Sequence, residues 1–290
     1  MREGERGSLF CEVVITRIIF STLPHGSSAN IQMFNVEVRS HGRCLVAIDD
    51  IMAGTIVLEE EAYSSVISQS FSEVACSLCG CISDDGKVFA ISSDDKLRYC
   101  SENCIRQDYP EHSLEVSALR ELEKKQIEGS SDSLRLLLRC SSRRKLEISD
   151  DNLCAFPMNG KANKFIHILC LESVDSHISE SDSEAISSVA QVLAEIASEN
   201  DLELSHKEAK KLLLSVQCNA HRILDCQRRG IALGLFPLVS MINHSCFPNC
   251  EHYFKIEKYK PPRLVIRAIK NVRQARVQTL KQRNTALADY

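Results

Sequence analysis

Hydrophobic and polar residues alternate in two separate stretches of the chain. The first stretch, FNVEVRSHGRCLVAIDDIMAGTIVLEEEAY, is broken at Gly42 and Gly54 and is typical of short strands joined by turns. The second stretch contains the runs IALGLFPLVSMI, EHYFKI and PRLVIRAI. We therefore expect the segments 34–75 and 231–270 to fold together as one β-rich domain, interrupted by the residues between them.

Between these stretches the apolar residues recur at helical spacing. One pattern covers residues 114–122, and another covers residues 185–197 with Ser183 in the position of an N-cap. Ser205 and Glu208 form a capping box that predicts the start of a third helix. The polar runs EGSSDS and DSHISESDS are typical of surface loops. Strands, then helices, then strands predict an α+β fold.

Composition and charge narrow the functional classes. The 290 residues are 44% hydrophobic and 26% charged with a net charge of −4, which gives no overall reason to expect nucleic acid as a partner. The apolar stretch 9–23 is interrupted by Glu12 and Arg17, so we expect neither a membrane span nor a secretory signal. The basic stretch 263–283 lacks the interleaved aromatic residues of nucleic-acid interfaces.

The chain contains fourteen cysteines, and two close pairs among them predict a zinc site. In a reducing compartment, clustered cysteines favour metal over disulfides. Cys76 and Cys79 form a CxxC pair, and Cys100 and Cys104 form a second pair that can complete a tetrahedral set of thiolates. The residues between the pairs are too polar to form their own core, so a metal ion would hold them together. Cysteines scattered through a core would not be spaced in this way.

Two further residues near these pairs are not predicted to bind metal. Cys81 is a spare thiol. His112 has Val116 four positions later, so a second site at this position lacks half of its ligands. We expect His112 to lie on the surface.

The segment MINHSCFPNC at 241–250 gathers small polar and sulfur-containing side chains behind an apolar run. The residues alone leave three interpretations open. The segment is a metal site, a cofactor-binding loop or an ordinary polar turn, because Asn and Pro favour turns.

Three segments together resemble a known family. FPLVSMINHSCFPNC resembles the NHSCxPN signature of SET-domain protein methyltransferases, and SHGRCLVAIDDIMAGTIVLEEE resembles their N-terminal cofactor strand. VQCNAHRI resembles the segment that carries a cofactor-contacting Asn in the SET and MYND subfamily, and a cysteine module between two SET halves is that subfamily's arrangement. The chain is identified as a plant-like member of this subfamily with a divergent C-terminal end.

The resemblance implies a function, cofactors and partners. It implies a protein-lysine N-methyltransferase that uses S-adenosylmethionine, contains Zn²⁺ and acts on a histone or another protein. Cofactor contacts are expected from five residues: Gly42, Arg43, Asn219, Asn243 and His244. The resemblance also implies peptide partners for the zinc module and a location in the nucleus, the cytoplasm or both, with no direct nucleic-acid or membrane partner.

The resemblance also divides the chain into six parts. These are a divergent N-terminal segment 1–33, the N-terminal SET part 34–75, a MYND-like zinc module 76–112, a helical insertion 113–215, the SET core 216–270 and a divergent tail 271–290.

The family pattern ends after Val272. Family members continue with a Gly-Glu-Glu-like segment and a tyrosine near the methyl-transfer channel, whereas this sequence continues RQARVQTLKQRNTALADY. Tyr290 lacks that motif and receives no catalytic role, and Tyr253 and Tyr259 are expected to pack or lie exposed. We therefore expect weak or no catalysis, a cofactor pocket with one wall missing and an exposed edge on the strand at 264–269.

Two other functions compete with catalysis. The first is a non-catalytic, zinc-dependent protein-interaction module, and the second is nucleic-acid binding through the basic tail, which charge alone supports. In the family, the cysteine equivalent to Cys246 joins a zinc site completed by later cysteines. No cysteine follows Cys250 in this sequence, so that second zinc site is not expected.

Overall fold

The fold is described here from a computed structural model of the chain. It describes residues 34–39, 42–82, 89–90, 97–125, 131–147, 164–173, 178–274, 276 and 279–280. The predicted N-terminal segment 1–33 and Tyr290 lie outside these residues.

The strands of the described residues are short, as the alternating pattern predicts. They are β1 (Phe34–Arg39), β2 (Gly42–Ala47), β3 (Ile56–Glu61), β4 (Ser64–Ile67), β5 (Phe89–Ala90), β6 (Arg98–Tyr99), β7 (Ala220–Leu224), β8 (Gly230–Leu235), β9 (Asn243–His244), β10 (Cys250–Lys255), β11 (Arg263–Ala268) and β12 (Thr279–Leu280).

Strands from the two ends of the chain share sheets. β11 lies between β10 and β3, and β8 lies between β4 and β7, with every pair antiparallel. The remaining pairs are β1 with β2, β5 with β6, and β9 with β12. Because β11 has a neighbour on each side, the predicted exposed edge at 264–269 is wrong. The predicted α+β fold is confirmed.

One apolar core lies among these strands. It is built from side chains that alternate inward, such as Leu45, Leu58, Ile231, Phe236 and Leu264, each no more than 7% exposed. Residues two apart on a strand share a face, so the alternating pattern of the sequence delivers these side chains to one layer.

Five helices lie within the described residues. They are α1 (Glu102–Lys125), α2 (Ser131–Leu146), α3 (Phe165–Leu169), α4 (Glu180–Glu199) and α5 (His206–Asn219). They enclose a second apolar core that also includes residues of β4 and β8. None of the described helices is long and apolar enough to cross a membrane.

The helix starts show which capping signals were read correctly. The capping box of Ser205 and Glu208 is present and opens α5. Helix α4 begins at Glu180 with Ser179 as its N-cap, so the prediction that Ser183 is the N-cap is wrong. The hydroxyl of Ser179 accepts from the backbone N–H of Asp182, and acidic residues in the first turn favour this start.

Helix α2 lies inside the predicted helical insertion 113–215, but no apolar pattern predicted this individual helix. Leu136, Leu137 and Leu138 are fully buried, and so are the polar Arg139, Ser141 and Ser142 of the same helix. Polar residues at buried positions do not follow the apolar spacing from which a helix is predicted. The predicted loops EGSSDS and DSHISESDS are therefore wrong in part, because α2 begins at Ser131 and α4 begins at Glu180.

Side chains near both ends of helix α2 contact β4 or the residue before it. Arg135 Nη1 donates to the carbonyl of Ile67 at 2.9 Å. Arg143 lies over the ring of Tyr63, 4.8 Å from its centre, and the Tyr63 hydroxyl donates to Glu147 Oε1 at 2.7 Å. The helices are thereby positioned directly against β4.

Candidate cofactor and metal sites

The four predicted zinc ligands form one cluster. The Sγ atoms of Cys76, Cys79, Cys100 and Cys104 all lie within 4.8 Å of one another. Cys100 Sγ is 3.7 Å from Cys79 Sγ and 3.5 Å from Cys104 Sγ. A tetrahedral zinc ion with Zn–S bonds of about 2.3 Å separates its sulfur ligands by about 3.8 Å. The donor set therefore fits a zinc ion.

The backbone around these cysteines explains how they converge. Gly80 N donates to the Cys76 carbonyl at 2.8 Å, and Cys76 N donates to the Cys81 carbonyl at 3.0 Å, which closes a tight turn. Gly80 has φ of 72°, in the left-handed region that glycine adopts without strain. Cys104 lies in the first turn of α1, and burial raises the pKa of its thiol. A bound cation would offset that cost by stabilising the thiolate.

A buried ionic cluster joins this module to α2. The Tyr99 hydroxyl, next to Cys100 in the chain, donates to Asp108 Oδ2 at 2.6 Å. Arg139 of α2 donates to the same carboxylate and, at 2.6 Å, to Glu115 Oε1. All of these groups are buried, so each charge depends on its partners.

The prediction that His112 lies on the surface is wrong. Its side chain is only 4% exposed, with Nδ1 3.6 Å from Glu115 Oε1. The middle of α1 packs against α2 here, which covers one face of the helix. His112 thus borders the ionic cluster of Arg139, and it is not one of the four clustered ligand groups.

The segment with Asn243 and His244 follows a short 3-10 turn. Val239–Met241 forms this turn, and its last backbone bond is donated by Ile242 N to the Val239 carbonyl at 2.9 Å. Asn243 and His244 then form β9, with Asn243 half-buried and His244 exposed. This exposure leaves the β9 side chains accessible to a ligand.

The divergent tail supplies a neighbour for β9. Val272 pairs with Ile51, and Gln274 N donates to Asp50 Oδ1 at 2.7 Å. The backbone of Thr279–Leu280 then pairs in parallel with β9. The described residues of the tail therefore lie beside β9, although the tail sequence lacks the family's acidic and tyrosine-containing motif.

Glu60 binds the start of the 3-10 turn although it lies far from the turn in the sequence. Its two carboxylate oxygens accept the backbone N–H groups of Leu238 and Val239, each at 2.9 Å. Glu60 is the middle residue of the run Glu59–Glu61 and is 6% exposed. The sequence pattern did not predict this role. Three consecutive acidic residues were the only local signal, and they do not show which of the three is buried.

Asn219 ends α5 beside the same turn. Its amide nitrogen donates both hydrogens within the chain, to the carbonyls of Glu172 and Ser215, each at 2.8 Å. The Ser240 hydroxyl donates to the Phe236 carbonyl at 2.9 Å, and its oxygen lies 3.4 Å from the Asn219 carbonyl oxygen. The amide oxygen of Asn219 is the group of this side chain that remains to meet a ligand.

Gly42 and Arg43 begin β2, at the hairpin with β1. Gly42 pairs with Arg39, and Arg43 is half-buried. β2 packs against the 3-10 turn, and its Leu45 shares a core with Ile242. The structure therefore places β2, the end of α5 and β9 around the 3-10 turn Val239–Met241.

The remaining sulfur and aromatic residues named in the sequence analysis differ in their exposure. Cys246 is exposed, with Sγ 3.7 Å from His244 Nε2, and Cys250 is buried in the core. Phe247 is 86% exposed, and Tyr253 and Tyr259 are also exposed.

A cavity of about 430 Å³ lies away from these residues. It is bordered by the zinc module, α1 and α2, with Ser77, Gln107, Glu111, Arg143 and Glu147 in its lining. None of the five residues predicted to bind cofactor lines it.

Comparison with known proteins places the chain in a family. The family model described as SET domain matches residues 42–275. This chain belongs to the SET-domain family. The match begins at the residue that opens β2 and ends in the tail, so it includes β9 and the turn before it.

Two of three similar relatives of this SET-domain protein carry methyltransferase names. It is 29% identical over 251 residues to histone-lysine N-methyltransferase ASHR1 of Arabidopsis thaliana, covering 84% of this chain and 48% of the relative. It is 24% identical over 234 residues to N-lysine methyltransferase SMYD2 of Gallus gallus, covering 80% and 49%. It is 26% identical over 213 residues to SET domain and MYND-type zinc finger protein 6 of Schizosaccharomyces pombe, covering 73% and 39%. The predicted membership in the SET and MYND subfamily is confirmed.

The chain spans about half the length of the curated relatives it matches. A solved SET domain of LSMT bound to lysine and AdoHcy is similar with a TM-score of 0.39 at 10% identity, covering 90% of this chain and 51% of that one.

Proposed function

We propose that this chain is the SET core of an S-adenosylmethionine-dependent protein-lysine N-methyltransferase. The observation that carries the proposal is the convergence of β2, the end of α5 and β9 on the 3-10 turn Val239–Met241. The matched family and the methyltransferase names of its relatives support the same activity. The substrate is a lysine of a histone or another protein.

Five residues would hold the cofactor. Asn219 would offer its amide oxygen, since its amide hydrogens are engaged within the chain. Asn243 and His244 would supply polar contacts from β9, and Gly42 and Arg43 would supply contacts from the start of β2. S-adenosylmethionine, when bound, supplies the methyl group. Because methyl transfer is an in-line displacement, the protein's part is to orient the lysine amine and exclude water.

The zinc ion has a structural role in this proposal. It would be held by Cys76, Cys79, Cys100 and Cys104 and would order the residues between them. The clustered cysteines also support a second candidate function, a zinc-dependent module that binds a peptide partner. We place the protein in the nucleus, the cytoplasm or both, and we propose no nucleic-acid or membrane partner.

Calorimetric titration with S-adenosylmethionine tests the proposal at the binding step. We expect one binding event per chain, with the zinc-loaded protein as the sample. No heat of binding at any cofactor concentration, together with retained zinc and folded sheets, would favour the peptide-binding module instead.

A transfer assay tests the chemical step separately. Labelled cofactor is incubated with mixed peptide and protein substrates, and lysine methylation is read by mass spectrometry. The matched comparison is a chimera that carries a family-type Gly-Glu-Glu and tyrosine ending after Val272. Activity in the chimera alone would assign the weakness of this chain to its tail, and equal activity would show that the tail suffices.

A further inference from the structure

Glu60 is the buried carboxylate in a run of three consecutive glutamates. Along β3 the neighbouring Glu59 and Glu61 point to the exposed side, whereas Glu60 points inward with a residue exposure of 6%. β11 places the apolar Leu264 opposite Glu60 in the sheet. A buried carboxylate needs hydrogen-bond donors to be tolerated.

The donors come from a distant part of the chain. The N–H groups of Leu238 and Val239 each donate to a different oxygen of Glu60, both at 2.9 Å. These two N–H groups belong to the start of the 3-10 turn, where backbone donors have no partner within the turn itself. Glu60 therefore fixes where this turn begins.

The 3-10 turn also fixes the position of β9. Met241 N donates to the Leu238 carbonyl at 3.0 Å, and Ile242 N donates to the Val239 carbonyl at 2.9 Å. Ile242 is the single residue between the turn and Asn243, and its N–H is bonded back to the turn. A shift of Leu238 or Val239 would therefore carry Asn243 and His244 with it.

The ionisation state of Glu60 decides how many donors it can satisfy. An ionised carboxylate accepts at both oxygens, whereas a protonated one has a hydroxyl that is itself a donor. Burial raises the pKa of Glu60 to about 8, and the hydrogen bonds from Leu238 and Val239 act in the opposite direction. No titratable side chain of the described residues contributes to this shift, because the turn presents backbone N–H groups and β11 presents Leu264.

We propose that Glu60 is a positioning residue whose ionised carboxylate holds the Asn243–His244 segment in its cofactor-binding conformation, so that protonation of Glu60 weakens cofactor binding. This inference rests on the proposed function, since it names what controls the same site. Glu60 does not touch the cofactor or the lysine amine in this proposal.

The sign of the pH effect differs between stability and binding. Because the pKa of Glu60 is raised in the folded chain, ionisation of Glu60 opposes folding, and its contribution to the free energy of unfolding falls as pH rises from 4.5 to about 8. Cofactor affinity changes in the opposite direction and rises over the upper part of this range. A merely structural role for Glu60 would make the two quantities change together.

The experiment compares the wild type with Glu60→Gln in cofactor titrations from pH 6.5 to pH 9. We expect the two proteins to bind alike at pH 6.5 and the variant to bind about tenfold more weakly at pH 9, because a charged acceptor is lost. Glu61→Gln is the matched control, since Glu61 is the exposed neighbour on β3. The amino group of the cofactor also titrates near pH 8, and it does so equally for all three proteins. Parallel affinity curves for the wild type and Glu60→Gln would overturn the proposal.

A second measurement separates this proposal from the proposed function. The amide proton shifts of Leu238 and Val239 in NMR spectra should titrate with a midpoint near pH 8 in the wild type and stay constant in Glu60→Gln. A wild type that binds no cofactor would overturn the proposed function while these amides still titrate. Amides that do not titrate in the wild type would overturn the role of Glu60, whether or not cofactor binds.

Discussion

The zinc module and the β9 segment are both small polar sites, but they are held together over very different distances in the chain. The four cysteines come from one short stretch and converge through a turn at Gly80 and the first turn of α1. The β9 segment depends on Glu60, on the end of α5 and on the tail at 279–280. A local site should fail by itself, whereas a long-range site should respond to changes far along the chain.

Replacing one zinc ligand should give the largest effect and should break only the local site. We expect Cys100→Ser to lower the metal content from about one ion per chain to near zero, since three thiolates leave the tetrahedral set incomplete. Metal analysis gives the stoichiometry, and hydrogen exchange should show loss of protection at 76–104 while β8 to β11 stay protected.

Cys226→Ser is the control for this change, because Cys226 is exposed and outside the cluster. A Cys100→Ser protein that keeps one ion would show that the ligand set is wrong. Two ions in the wild type would show that a further site, at His112 or Cys246, had been missed.

The buried ionic cluster tests how far the zinc module depends on the helices. Arg139→Ala would leave Asp108 and Glu115 as buried carboxylates without their shared partner. Breaking such a pair from one side costs roughly 3–5 kcal/mol in the free energy of unfolding. Denaturant unfolding measures this loss, with the exposed Arg120→Ala as the control.

The zinc content of the Arg139→Ala protein shows whether the zinc module depends on the ionic cluster. Retained zinc in the destabilised variant would show that the cysteines are sufficient for the local site. Loss of zinc would show that Tyr99 and Asp108 are needed to hold the module in shape, and a cost under about 1 kcal/mol would contradict the buried-pair argument.

Short-range patterns in the sequence predicted the cysteine cluster, but they did not predict the distant residues that support β9. The spacing of Cys76 to Cys104 predicted the cluster, because each pair places its thiols by a turn or a single helical turn. The capping box at Ser205 was readable for the same reason. The role of Glu60 could not be predicted from the sequence, because its partners Leu238 and Val239 lie 178 and 179 positions later in the chain.

Two other errors have the same physical origin. Helix α2 was missed because its buried side includes the polar residues Arg139, Ser141 and Ser142, so the apolar spacing of a helix is incomplete in the sequence. His112 was expected on the surface because nothing nearby in sequence reveals that α2 covers that face of α1. Tertiary packing decided both positions.

The long-range site should lose binding when its central amide is removed. Asn243→Ala should weaken S-adenosylmethionine binding by ~1–3 kcal/mol, because a half-buried polar partner of the cofactor is lost. Calorimetric titration measures the change, with Gln191→Ala on the exposed side of α4 as the control amide. An unchanged affinity, with zinc content also unchanged, would mean that this segment is only a polar turn.

The smallest expected effect is an acid sensitivity of the sheet that carries the long-range site. His221 lies two residues after Asn219 on β7, with its ring 5.8 Å from Phe236 and 6.4 Å from His252. Burial, and then the neighbouring His252, lower the pKa of His221 to about 4 from an ordinary 6.5. Its contribution to stability is therefore complete above pH 6.5 and is lost as the pH falls toward 4.

Replacing His221 by Phe tests this contribution, because a second aromatic ring suits the contact with Phe236 and does not titrate. Between pH 7.5 and pH 5.5 the free energy of unfolding of the wild type should fall by roughly 1 kcal/mol relative to that of His221→Phe. The opposite change that Glu60 contributes over this range is common to both proteins and cancels in the difference. Zinc content is measured at both pH values, so that acid release of the metal is separated from the effect on the sheet. His252→Phe should retain most of the pH dependence, because burial is the larger cause of the shift. If the free energies of unfolding of His221→Phe and the wild type change in parallel with pH, His221 is not the source of an acid sensitivity in this sheet.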